Sequence, residues 1–211
     1  MGSKYNFKKD AVELFDDWAA IGKDKGFEKN HSRPVHSMLE HIFDHFHNRQ
    51  DLSFLDIGCG NGWVVREVLK NSRFAKARGV DGSQKMINNA LSIDPKGDYE
   101  CTYIEKLGDQ SIYDIVFSME VFYYFKDPSV LLKKIHKDWL SEKGKLVFGI
   151  DHYLENKSSL DWPEKCGVFM NTLPISKWHD LISEAGFKNI RNWQVGKKKD
   201  WLGTLVFYAE K

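Results

Sequence analysis

The stretch Phe54-Leu55-Asp56-Ile57-Gly58-Cys59-Gly60-Asn61-Gly62-Trp63 constrains this chain more than any other. An apolar run ends in three glycines at every second position. A helical pattern follows at once, with Val64, Val65, Val68 and Leu69 apolar and Arg66, Glu67 and Lys70 polar. Strand, tight turn and helix in direct succession open an α/β sheet. Glycine lets the backbone take φ > 0 and come close to a ligand. The helix start behind such a turn presents free N–H groups and a positive dipole end. The junction suits a nucleotide-like or carboxylate-bearing ligand.

The rest of the chain is placed around this turn. Residues 7–21 show apolar residues at helical spacing, with Asp10 as N-cap. Residues 22–34 are polar and carry Gly22 and Gly26, which predicts a loop. Ser32 and Pro34 then begin a second helix with Val35, Met38, Leu39, Ile42, Phe43 and Phe46 on its apolar face. From residue 52, strands and helices alternate. Strands are expected at 52–57, 77–81, 99–104, 112–119 and 145–150. Helices are expected at 62–71, after Ser83, and from Asp127-Pro128 to Leu140. Residues 151–175 show no period, and unstructured stretches of that length are usually functional. A helix capped by Ser176 and strands at 187–195 and 201–209 complete the chain. The last two strands are separated by a short charged turn, so they pair antiparallel, because a parallel crossover needs a dozen or more residues. The alternation argues a mostly parallel, right-handed sheet.

Composition narrows the function classes. The chain has 211 residues and a formal net charge of +1, so no strong field favours nucleic acid or an anionic membrane. No apolar run approaches the ~20 residues of a membrane span, and Met1-Gly2-Ser3-Lys4-Tyr5 lacks an apolar signal region. Cys59, Cys101 and Cys166 are far apart, form no CxxC pair, and read as thiols of a reducing cytoplasm. His41 and His45 have metal-ligand spacing on a helix but no third ligand, so they read as a solvated face and no metal is expected. His31, with Glu28 and Asn30, forms a polar cluster in the predicted loop.

The glycine register separates two dinucleotide-type patterns. Hydride-transfer enzymes use G-x-G-x-x-G. Here Gly58, Gly60 and Gly62 bring the third glycine one position early, and Asp56 stands two before the first. A carboxylate there can accept hydrogen bonds from a ligand amino group, which a pyrophosphate lacks. Asp81 follows Gly60 by 21 positions at the end of the second strand, where it can accept both hydroxyls of a ribose. Gly82 leaves room for the sugar, and Met86 can lie against a purine. Backbone amides or Glu105 after the third strand can read an adenine edge. A ligand with an amino acid, a ribose and an adenine satisfies all of these places.

With these residues the chain resembles the class I S-adenosylmethionine-dependent methyltransferases, in their small-molecule branch with a methyltransferase-11/25-type domain. Leu55–Gly62 is similar to the family's first motif, and Gly79-Val80-Asp81-Gly82-Ser83 with Met86-Ile87 to its second. Tyr113–Val121 resembles the fourth-strand motif. Asp127-Pro128 with Leu131-Leu132, then Gly144–Val147, resemble the stretch leading to strand five. The likeness covers roughly residues 50–211. It implies a Rossmann-like seven-stranded sheet with one antiparallel strand and helices on both faces; the two extra N-terminal helices read from the periodicity precede it. It implies S-adenosylmethionine as the cofactor. The methionine moiety would face Asp56 and the loop of Gly58, Cys59, Gly60 and Gly62. The ribose would face Asp81, and the sulfonium region Met119. Two positions depart from the family pattern. Glu105-Lys106 stands where relatives carry an Asp, and Tyr124 stands where they often carry a His.

Methyl transfer is an in-line displacement that depends mostly on holding the nucleophile close and aligned. The acceptor should sit outside strands four and five, near Tyr123, Tyr124, Asp151, His152, Tyr153 and Trp162. Residues 1–50 would form a helical cap over a core at 51–211, all in one domain. His152 is the expected general base, because His titrates near neutrality and follows a strand end. The alternative is a structural His bonded to a loop carbonyl. Tyr123 and Tyr124 can form a wall against a cation, or one of them can pack under the next helix. The expected function is methylation of a small molecule, on N or O rather than S, without nucleic-acid or membrane partners. The rivals are a non-catalytic cofactor-binding partner subunit and a nicotinamide-dependent oxidoreductase.

Overall fold

The computed structural model describes residues 7, 9–108 and 112–211. Residues 1–6, where the expected cap begins, lie outside the described residues, as do 8 and 109–111. Helix α1, Ala11–Ala20, begins at a reciprocal capping box. The Asp10 carboxylate accepts the Glu13 N–H, and the Glu13 carboxylate accepts the Asp10 N–H.

The predicted loop at 22–34 is mostly helix. A 3-10 turn, Lys23–Gly26, runs directly into α2, Phe27–His45, with Pro34 inside it. Proline removes one helical hydrogen bond and is usually excluded from helix interiors. Packing outweighs that cost here. Pro34 is buried, and Phe27, in the first turn, sits edge-to-face with Phe15 and Trp18 of α1 at 6.3 and 6.4 Å.

The seven strands are β1 Leu52–Ile57, β2 Phe74–Asp81, β3 Asp98–Cys101, β4 Tyr113–Met119, β5 Leu140–Ile150, β6 Lys188–Val195 and β7 Thr204–Glu210. They form one sheet in the order β3-β2-β1-β4-β5-β7-β6. β7 is antiparallel to both of its neighbours, β5 and β6, and the other pairs are parallel. The intervening helices are α3 Trp63–Val68, α4 Gln84–Ile93, α5 Pro128–Lys134, α6 Trp162–Cys166 and α7 Ile175–Glu184.

Strand alternation sorts apolar residues onto two faces. Leu55 and Ile57 of β1, Phe148 and Ile150 of β5, and Phe207 of β7 pack on one side with α5 and α7, including Leu132 and Trp178. Phe54, Phe117, Val147 and Val206 pack on the other with α2 and α3, including Met38, Ile42 and Val65. Helices therefore cover both faces, as the alternating pattern requires.

Several boundaries differ from expectation. β5 begins at Leu140 rather than residue 145, because an irregularity lets Leu140 pair with Tyr113 before Lys145 pairs with Ile115. Gly144 thus lies within a strand rather than stopping a helix. α3 is shorter than expected. α7 starts at Ile175 with Pro174 at its N-cap, and the aperiodic 151–175 stretch contains the short helix α6.

Candidate functional site

Strand order reverses between β1, which is followed by β2 to one side, and β4 on the other. Ligands of open α/β sheets bind outside the carboxyl ends of the strands at such a point. A cavity of about 570 Å³ opens there.

The glycine turn forms its floor. Gly58, Gly60 and Gly62 have φ of 74°, 54° and 75°, the left-handed region. At Gly58 a Cβ would lie 2.2 Å from the Val121 side chain, and at Gly62 2.4 Å from the Tyr99 ring. The Gly58 and Cys59 N–H groups both donate to Val80 O, at 2.8 and 3.0 Å, which fastens the turn to β2. Asp81 reinforces this. Its Oδ2 accepts the Gly60 N–H at 2.9 Å and its Oδ1 the Ser83 N–H at 2.8 Å. Asp56 is buried at the end of β1 and lines the cavity. Burial, and then the neighbouring Asp81 charge, push its carboxyl well above the ordinary 3.8. Burial also raises Asp81, against the two N–H groups that hold its charged form. The Cys59 thiol is pushed up by burial and stays protonated.

Of the residues expected at the cofactor end, Asp56, Gly58, Cys59, Gly60, Asp81, Gly82, Glu105 and Met119 line the cavity. Gly62 and Met86 lie outside the lining. Gly62 is covered by Tyr99. Met86 is fully buried in the first turn of α4, its N–H bonded to Ser83 Oγ, so it supports the turn from beneath and does not face a purine.

At the other end Tyr123, Tyr124, Asp151 and Trp162 line the cavity, together with Glu120 and Met170. Tyr123 Oη donates to Glu120 Oε2 at 2.8 Å, and the Asp151 N–H donates to Glu120 Oε1 at 2.5 Å. Burial raises the Tyr124 phenol well above its usual range, so the hydroxyl keeps its proton. Its ring meets Phe15 edge-on at 5.6 Å. Trp162 touches both the cavity and the fold. It lines the cavity and stacks on Trp201 at 5.9 Å.

The structure corrects two acceptor-side expectations. His152 is fully buried, with Nδ1 2.9 Å from Ser159 O and Nε2 2.8 Å from Thr172 Oγ1. A neutral ring donates to the carbonyl and accepts from the hydroxyl, and burial lowers its pKa. Both nitrogens are used within the fold, and the ring is not among the cavity-lining residues. This is the loop-carbonyl alternative, and it leaves His152 no lone pair for a substrate proton. Tyr153 is likewise buried away from the cavity. Its hydroxyl donates to Gly203 O and accepts from Gln194, and its pKa is pushed up to about 12 by burial.

Other contributors come from the N-terminal helices. Phe15, Trp18 and Phe27 cover the cavity, and His31 of α2 reaches its wall. Asp16 of α1 caps α4, accepting from Ser83 Oγ at 2.7 Å and from the Lys85 N–H at 3.1 Å. Buried Asp24 accepts from Asn61 in the glycine turn at 3.2 Å and from Asn89 of α4 at 3.1 Å. The aromatic residues read in the sequence as ordinary core. The sequence places a helical cap at residues 1–50 but does not show which of its side chains meet the site.

Comparison with known proteins agrees with this geometry. The family model described as a methyltransferase domain matches residues 14–192. Among curated proteins, the chain is 29% identical over 153 residues to the malonyl-[acyl-carrier protein] O-methyltransferase of Priestia megaterium, covering 70% of this chain and 55% of that protein. The chain thus spans about half the length of that relative. Among solved structures, it resembles a chain of the Haloferax volcanii complex between the Trm112 methyltransferase activator and a methyltransferase. The TM-score is 0.80 at 24% identity, covering 96% of this chain and 98% of that one. It also resembles the N-methyltransferase NodS of Bradyrhizobium japonicum, solved with S-adenosyl-L-homocysteine. There the TM-score is 0.71 at 16% identity, over 96% and 99% of the two chains. With a family match across most of its length, a sheet of this order and a glycine turn between two carboxylates, the chain belongs to the class I S-adenosylmethionine-dependent methyltransferases.

Proposed function

We propose that this chain transfers a methyl group from S-adenosylmethionine to an oxygen or nitrogen of a small-molecule acceptor held in the same cavity. The observation that carries the reading is Asp56. Its carboxyl is buried, raised by that burial and then by Asp81, lines the cavity and accepts no hydrogen bond from the described residues. Such a group repels a pyrophosphate and pairs with an ammonium. The residues present fit S-adenosylmethionine. Asp56 takes the amino group, Asp81 keeps lone pairs for the ribose hydroxyls, and Gly82 and Glu105 border the base. Met119 lies toward the sulfonium.

S-adenosylmethionine supplies a methyl group on an already activated leaving group. The chain's part is to orient the two reactants and exclude water. Tyr123, Tyr124 and Trp162 form the acceptor wall, and α1 and α2 close over it as a cap. The cavity continues past Tyr123 to Met170, while Phe122 is stacked on Phe148 outside the lining. Room for a second molecule favours catalysis over a cofactor-binding partner subunit. The relatives' names range from malonyl-[acyl-carrier protein] and ubiquinone biosynthesis O-methyltransferases to a tRNA U34 carboxymethyltransferase. They define the first classes to try.

Calorimetric titration with S-adenosylhomocysteine and with NADH tests the donor. Tight binding of the former alone is expected, and selective binding of NADH would overturn the reading. Labelled S-adenosylmethionine with pooled phenols, carboxylic acids and amines then tests turnover. Binding without transfer to any pool would favour the partner-subunit reading.

A further inference from the structure

Three polar side chains meet at the acceptor end for which methyl transfer alone gives no reason. Glu120 directly follows β4 with φ of 63°, a left-handed conformation that costs a non-glycine residue energy and collects at functional sites. Its carboxylate is held from behind by Tyr123 Oη and the Asp151 N–H. Asp151 directly follows β5, is only 8% exposed and lines the cavity, yet its Oδ1 has no hydrogen-bond partner. An unpartnered buried carboxylate oxygen is costly unless something else binds it. His31 comes from α2. Its Nδ1 lies 3.1 Å from Phe27 O, which can only accept, so Nδ1 is the donor and Nε2 is the nitrogen left for a ligand. One ligand atom from each of the three lies within 4.8 Å of the others.

We propose that His31, Glu120 and Asp151 bind a divalent transition-metal cation of the zinc or manganese type at the acceptor end of the cavity. One imidazole and two carboxylates form a mixed N/O donor set that suits such ions. Three protein ligands with further positions facing a cavity make the pattern of an open site, not a closed structural one. The supports behind the ligands are of the usual kind for metal centres. A backbone carbonyl fixes the histidine tautomer, and a phenol and an amide orient the glutamate. The three ligands come from α2 and from the ends of β4 and β5, so a cation would also tie the N-terminal helices to the sheet. The role in methyl transfer rests on the function proposed above. An acceptor hydroxyl bound to the cation would give up its proton more readily, without a histidine base. Cation binding itself does not depend on that reading.

Electron paramagnetic resonance titration of Mn²⁺ into the full chain, with Zn²⁺ as competitor, tests the site. One Mn²⁺ per chain, displaced by Zn²⁺, is expected. Asp151→Asn and Glu120→Gln should each weaken binding at least about tenfold, as loss of a ligand does. His45→Ala, at an exposed histidine packed on His41 away from the cavity, should change nothing. S-adenosylhomocysteine is titrated in parallel. If it binds and the wild-type chain takes up no Mn²⁺ or Zn²⁺, the metal site is overturned and the proposed function stands. Uptake that survives both carboxylate variants but is lost in His45→Ala also overturns it. Uptake lost in the carboxylate variants alone supports the site, even if S-adenosylhomocysteine fails to bind. Wild-type stoichiometry decides the matter should either carboxylate variant fail to fold.

Discussion

Asp151 and His152 are neighbours with opposite fates. Asp151 faces the cavity, while His152 turns into the fold between Ser159 and Thr172. Successive residues of an extended chain point to opposite sides, so a one-position difference decides which of two polar residues meets a substrate. The sequence shows that a polar pair follows strand five but not which member faces the crevice. His152→Ala should therefore act on stability. Removing the ring leaves the buried Ser159 carbonyl unsatisfied, at a cost of about 1–3 kcal/mol. Urea unfolding should show that loss while the affinity for S-adenosylhomocysteine stays within about twofold. A large loss of affinity with unchanged stability would put His152 back in the site. Gly58→Ala should do the reverse of what a surface substitution does. The new methyl meets Val121 at 2.2 Å in a backbone with φ of 74°, and Val121 adjoins Glu120. Both stability and cofactor binding should fall, with affinity dropping at least about tenfold, roughly 1.4 kcal/mol.

At the scale of elements, what was legible followed from patterns that local sequence determines. Leu52–Ile57, the glycine turn, Asp81 at the end of β2 and the antiparallel close of β6 and β7 all carry a periodicity or a turn signal of their own. The missed elements depend on partners distant in sequence. Residues 27–34 look like a loop because Pro34 and a polar composition argue against helix. They are helical because Phe27 packs on α1 and Asp24 is fastened to Asn61 and Asn89. The sequence places a cap at residues 1–50, but the same remoteness hides the contacts that fasten it. Asp16 joins α1 to α4 across 67 positions of sequence through Ser83. Asp16→Ala should remove the tie without disturbing the sheet. Hydrogen exchange of α1 should speed up, while the strands stay protected. S-adenosylhomocysteine should dissociate several-fold faster. Unchanged exchange in α1 would show that Val12 on Gly82 and the aromatic contacts hold the helix alone.

For the whole molecule, the two buried carboxyls beside the glycine turn carry unfavourable charge when they ionise. Asp56 and Asp81 are both buried, and both carboxyls lie above their ordinary 3.8, Asp56 well above it. Between 3.8 and the raised values the folded chain holds protons that the unfolded chain has lost, so stability falls as pH rises through this window. Glu210 works on the acid side. Burial would raise it, but hydrogen bonds from Asn189, Tyr208 and Lys145 outweigh that and bring it to about 2. Its contribution is present above its ordinary 4.5 and is lost as pH falls toward 2. The two trends together place maximum apo stability in mildly acidic solution, with a decline toward neutrality caused by the site. Asp56→Asn removes the larger part of that decline. The variant should melt higher than the parent at pH 7.5 by a few degrees, since about 1 kcal/mol corresponds to about 2–4 °C in a chain of this size. Below pH 3.8, where the carboxyl is protonated in both the folded and the unfolded chain, the two should converge. Its affinity for S-adenosylhomocysteine should fall at least about tenfold, because the amide cannot pair with the ammonium. Thermal unfolding across this pH range, with and without S-adenosylhomocysteine, checks both halves. In the parent chain the ligand should stabilise more as pH rises, because it neutralises the charge that ionisation exposes. A ligand effect independent of pH, or an Asp56→Asn variant no more stable than the parent, would mean that the buried carboxylates are not held at the expense of stability for a cationic ligand.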